Sequence, residues 1–73
     1  MAYPHAPSNP SYSVGRYDET IKDWYFGGES QECDWALNVA GRIAVKYKTQ
    51  TRVTEHPSGK QIALFGPDGK RVA

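Results

Sequence analysis

The stretch Arg42–Thr54, R-I-A-V-K-Y-K-T-Q-T-R-V-T, decides how this chain is read. Taken two residues at a time it divides into two sets. Ile43, Val45, Tyr47, Thr49, Thr51 and Val53 form one set, β-branched or aromatic throughout. Arg42, Ala44, Lys46, Lys48, Gln50 and Arg52 form the other, rich in cations. Because side chains of a strand alternate between faces, this pattern predicts a long strand with a packed side and a wet, basic side. A helix running from Trp35 through Tyr47 competes, since Val39, Ile43 and Tyr47 also stand four apart. The strand is preferred from Arg42 onward, with Gly41 as a helix stop and β-branched residues dominating after it.

Upstream of this stretch, residues 1–14 contain Pro4, Pro7 and Pro10 and almost no aliphatic side chains. Proline at every third position favours extended conformations, and so little apolar surface does not offset the entropy of ordering. A disordered tail over 1–14 is expected, followed by a single domain over 15–73. Asp18 is placed as an N-cap for a short helix presenting Ile21, Trp24 and Tyr25, ended by Gly27-Gly28. Ser30 is the next cap, opening a main helix over Gln31–Ala40 with Glu32 and Asp34 in its first turn. Downstream, Pro57 and Gly59 mark a reversal, Gln61–Phe65 a second strand, Gly66-Pro67-Asp68-Gly69 a tight turn and Lys70–Ala73 a third strand. The expected fold is α+β: one or two short helices on a three-stranded antiparallel β-meander. Its core is expected from Ile21, Trp24, Leu37, Val39, Ala40, Ile43, Val45, Tyr47, Val53, Ile62, Leu64 and Val72.

At 73 residues the chain is near the lower limit for folding without disulfides or a metal, so modest stability is expected. The single cysteine, Cys33, forms no internal disulfide, and no Cys/His set has zinc-ligand spacing. A reducing cytoplasm, no cofactor and no metal are expected. No apolar run reaches the roughly 20 residues of a membrane helix, and no signal-like segment follows Met1, so a soluble, unprocessed protein is expected.

Net charge is +1, but its distribution is uneven. Asp18, Glu19, Asp23, Glu29, Glu32 and Asp34 face only Lys22 over residues 18–34, whereas Arg42, Lys46, Lys48, Arg52, Lys60, Lys70 and Arg71 face only Glu55 and Asp68 over residues 42–73. Such segregation steers anionic partners toward one face, although acids at helix starts and lysines on solvated strands also have an ordinary explanation. If the strand reading holds, Arg42, Lys46, Lys48 and Arg52 project from one side, and Lys60, Lys70 and Arg71 extend the stripe toward nucleic-acid phosphates or an acidic protein. The sheet so drawn lacks the aromatic triplet of an RNA-recognition motif. Tyr3, Tyr12, Arg16, Tyr17 and Trp35 are the candidate protein-contact residues. No catalytic residues are assigned; the best enzyme case is a metal-free ribonuclease using His56, Tyr47 and nearby cations.

In size and layout over the whole chain, with an acidic helix, a meander and a proline-tyrosine tail, the sequence resembles the small host-takeover proteins of lytic bacteriophages. Within that group it is most similar to RNA-polymerase-binding transcription regulators of the kind a Xanthomonas phage uses. The resemblance implies a non-catalytic protein in the host bacterial cytoplasm, and a monomer is expected. It would dock on host RNA polymerase, inhibiting initiation or promoting antitermination. No residue role is carried over from it. Direct nucleic-acid binding through the basic strand face is the alternative, and the ribonuclease is the third reading.

Overall fold

The computed structural model describes residues 10–73. Five elements follow in order: β1 (Ser11–Asp18), β2 (Asp23–Ser30), α1 (Cys33–Tyr47), β3 (Thr51–His56) and β4 (Gln61–Phe65). The strands make one antiparallel sheet in the order β2-β1-β3-β4, and α1 packs on one of its faces. The class is α+β, as the sequence indicates. The sheet has four strands rather than three, and the helix is single.

Arg42–Thr54 is where the reading changes most. Its first half is the last half of α1, and only Thr51–Thr54 belongs to a strand. The stripe that decides this is Ala36, Ala40 and Ala44, spaced four apart and wholly buried. Three alanines let the helix lie close on the sheet, with Leu37, Val39 and Ile43 flanking them. Helical spacing therefore collects the core-facing residues, whereas Val45 and Tyr47 of the period-two set lie exposed. Gly41 stops nothing; it sits mid-helix facing the Phe65 ring and the Gly69 carbonyl. The helix ends instead at Lys48, in the left-handed conformation (φ 51°, ψ 48°), where the Lys48 and Thr49 amides donate to the Val45 and Ala44 carbonyls.

The proposed first helix is a β-hairpin. Asp18 does bond backbone amides, Thr20 at 2.7 Å and Ile21 at 3.3 Å, but these close a turn between β1 and β2 rather than cap a helix. Lys22 completes that turn with φ 54°. Gly27 and Gly28, expected to end the helix, form a bulge in β2 opposite Val14. A side chain there would meet Ile43 or Trp35 of α1 within 3.1–3.2 Å, so the bulge is where the helix crosses β2. Ser30 accepts from the Glu32 amide at 3.1 Å, and α1 begins after it at Cys33 rather than Gln31.

Of the expected tail, Ser11–Val14 belongs to β1, and Val14 is fully buried at the centre of the sheet; residues 1–9, including Tyr3, lie outside the described residues. The core consists of Val14, Ala36, Ala40, Ala44, Val53, Ala63 and Phe65, with Tyr12, Leu37, Val39, Ile43 and Ile62 packed around it. Ile21, Val45, Tyr47 and Val72 are exposed, and Trp24 and Leu64 half-buried, contrary to their expected core roles. Lys70–Ala73 is not a full strand. It returns along β4 through a bridge between Phe65 and Arg71 and a 2.8 Å bond from the Val72 amide to the Leu64 carbonyl.

Candidate functional site: the open face of the sheet

With α1 on one side, the other side of the sheet is uncovered among the described residues. Alternation assigns its occupants. On β1, Val14 faces the helix, so Ser13, Gly15 and Tyr17 face outward. On β3, Thr51 and Val53 are buried, so Arg52, Thr54 and His56 face outward. Trp24 and Phe26 complete the set from β2, paired with Tyr17 and Gly15. Together Ser13, Gly15, Trp24, Phe26, Arg52, Thr54 and His56 line a groove of about 210 Å³.

The walls of the groove are held by specific contacts. The Arg52 guanidinium lies 4.3 Å from the Trp24 ring centroid, and the Tyr17 ring meets Trp24 edge-on at 5.3 Å and 70°. Among the described residues Phe26 is held by no comparable stacking and, at 71% exposed, is the most exposed of the large apolar side chains. At the polar end, Ser13 Oγ and His56 Nε2 are 2.8 Å apart, and Ser11 Oγ donates to Glu29 Oε2 at 2.6 Å. Among the described residues no carboxylate lies within ion-pair distance of Arg52.

Gly15 forms the floor. Neither a positive φ nor a steric clash demands glycine here: an added Cβ would stand 3.5 Å from the Tyr25 carbonyl and 3.8 Å from Trp24 Cβ, which is ordinary contact. A glycine inside a strand weakens it and commonly marks a close approach to backbone. What its missing side chain provides here is an open floor between two aromatic rings and a guanidinium.

The expected basic stripe does not assemble. Arg42 and Lys46 are exposed on α1, Lys48 caps its C-terminus, and Lys60 and Lys70 lie in turns. Arg52 alone of the set points into the groove, while Arg71 donates to the Ile62 and Ala73 carbonyls at 2.8 and 3.0 Å. The helical turn rotates positions 42, 46 and 48 away from the side that Arg52 occupies, which strand periodicity does not anticipate.

The candidate contact residues also divide. Tyr12 packs against the core, and Arg16 is stacked between the Tyr25 and Tyr47 rings at 4.5 and 4.2 Å on the helix side. Tyr17 supports Trp24 on the open face, and Trp35 lies over Gly28 at the start of α1. Tyr47 and His56, paired in the ribonuclease reading, are on opposite sides of the sheet. Gly15, Trp24 and Phe26 went unassigned because 18–26 reads as a helix, which hides that Trp24 and Phe26 are two apart and hence on one strand face. The aromatic residues thought missing from the sheet are present on β1 and β2.

A scan against protein-family models finds no match, and searches of curated proteins and of solved structures return none. Among the described residues no group of three metal-ligating side chains is present, and no helix is long and apolar enough to cross a membrane.

Proposed function

We propose that this chain binds a single-stranded nucleic acid on the open face of its sheet. The observation that carries this reading is the glycine-floored groove between Trp24, Phe26 and Arg52. Unpaired bases stack on aromatic rings and on guanidinium planes, an interaction worth about 1–3 kcal/mol per base and open to any base. Phe26 offers a free ring, and the outer plane of Arg52, already seated on Trp24, offers a second platform with donors for a phosphate. Duplexes are disfavoured, because their bases are already stacked on one another.

Fluorescence anisotropy with labelled oligonucleotides tests this. Single-stranded octamers are expected to bind at low salt and the matching duplex to bind more weakly. With Arg52 as the main cation in the groove, the logarithm of affinity should fall with the logarithm of salt at a slope of about −0.7, much shallower than a stripe of four cations would give. Absence of single-strand binding at low salt would refute the reading.

A second reading is the regulator that docks on bacterial RNA polymerase and modulates initiation or termination. One observation favours it: Val45 is 53% exposed and shares a surface cleft with Arg42 and Lys46 on the helix side, away from the groove. Such an apolar and cationic surface suits an acidic protein partner. Retention of polymerase from a bacterial lysate, lost in Val45→Asp but kept in Phe26→Ala, is the expected result; no retention removes this reading.

A further inference from the structure

The polar end of the groove has a chemistry distinct from its aromatic walls. Ser13 Oγ and His56 Nε2 face each other at 2.8 Å across β1 and β3, with the Thr54 hydroxyl on the same face. Each partner in this pair both donates and accepts, according to which holds the proton. The serine hydroxyl retains unused lone-pair capacity after bonding the imidazole. A ligand group that donates and accepts at once is the natural complement, and it must be small, because the pair is half-buried beside the rings.

We infer that the Ser13–His56 pair reads a ribose 2′-hydroxyl, so that the preferred ligand is RNA rather than DNA. This rests on the nucleic-acid reading above. A base stacked on Phe26 or on the Arg52 plane brings its sugar beside the backbone of β1, where Gly15 leaves room and Ser13 is two residues away on the same face. The 2′-hydroxyl is the one sugar group that distinguishes the two nucleic acids, and it is both donor and acceptor. A deoxyribose puts a C–H against the pair, which then loses water without gaining a hydrogen bond. Leaving such a polar group unsatisfied disfavours the complex.

The test compares octauridylate, octadeoxyuridylate and fully 2′-O-methylated octauridylate by anisotropy on the full chain. These ligands share one base and differ only at the 2′ position. Wild type is expected to bind the ribo-octamer about five- to tenfold more tightly than the deoxy-octamer, the effect of one net hydrogen bond. The methylated octamer, which no longer donates, should fall with the deoxy form. Ser13→Ala and His56→Gln should each bring the ribo/deoxy ratio close to one. Equal affinity of wild type for all three would overturn the inference and leave the groove reading standing. A ribo preference that survives both substitutions would likewise overturn it, making the pair a cross-strand tie only. Failure of every octamer to bind would refute both readings. The methylated arm uses the unaltered protein, so the outcome does not depend on either variant folding.

Discussion

The two faces of the sheet are built on opposite rules. The buried centre of the covered face is made of small side chains: Val14, Val53 and Ala63 from the strands meet Ala36, Ala40 and Ala44 from the helix, with Phe65 the one ring among the buried residues and Tyr12 packed beside them. The uncovered face and its rim carry bulk: Trp24 and Phe26 stand there with Arg52, while Val14, Val53 and Thr51 are the largest fully buried side chains among the described residues. A chain this short gains most by burying its largest rings. Two of them nevertheless stand on the face that carries no helix among the described residues. The contrast teaches that the covered face supports stability while the open face, in the reading proposed above, serves recognition, so that the two can be altered separately.

The largest expected effect tests the covered face. Val14→Ala, or Val53→Ala, removes two buried methyl groups from a tightly packed site and should cost about 2 kcal/mol in urea denaturation. That is a large fraction of the stability of so small a domain. If either variant unfolds at the wild-type midpoint, the small-residue core described here is not what holds the fold together.

Phe26→Ala asks the opposite question of the open face. Its stability should stay within about 0.5 kcal/mol of wild type, as for an exposed position, while single-strand affinity falls about tenfold, the loss of one stacked base. A stability loss like that of Val14→Ala would erase the distinction between the faces.

Gly15→Ala gives the smallest change and the sharpest contrast. An alanine fits without clash and suits a strand better than glycine, so stability should rise by about 0.5–1 kcal/mol. The same methyl group raises the groove floor, and affinity should fall severalfold. Stability and binding moving in opposite directions in one variant is an outcome that a purely structural glycine does not produce.

What was legible in the sequence, and what was not, follows the same division. The α+β class, β4 at Gln61–Phe65, the reversal at Pro57–Gly59 and the core roles of Ala40, Val53 and Ile43 could be read, because each rests on local patterning or turn chemistry. Arg42–Thr54 misleads because Ile43 and Tyr47 satisfy a period of two with Val45 and a helical spacing with Val39. The residues that arbitrate are Ala36, Ala40 and Ala44, whose small size makes them a weak hydrophobic signal although they are the most buried stripe. The helix end carried no signal at all, since Lys48 takes a left-handed conformation that glycine or asparagine usually supplies. The β1–β2 hairpin was hidden because Asp18 caps backbone amides two and three residues on in a turn much as it would in a helix. Losing that hairpin lost the site, because Gly15, Trp24 and Phe26 share a face only when both segments are strands.

The central claim is that the open face, not the helix side, binds nucleic acid. A titration of isotopically labelled protein with octauridylate, followed through its backbone amide resonances, tests it most directly. The account predicts that shifts concentrate on residues 13–17, 24–26 and 52–56, with the α1 residues Ala36, Ala40 and Ala44 unmoved. Shifts centred on α1 and the Arg42–Lys46 surface, or no shifts at saturating ligand, would contradict it.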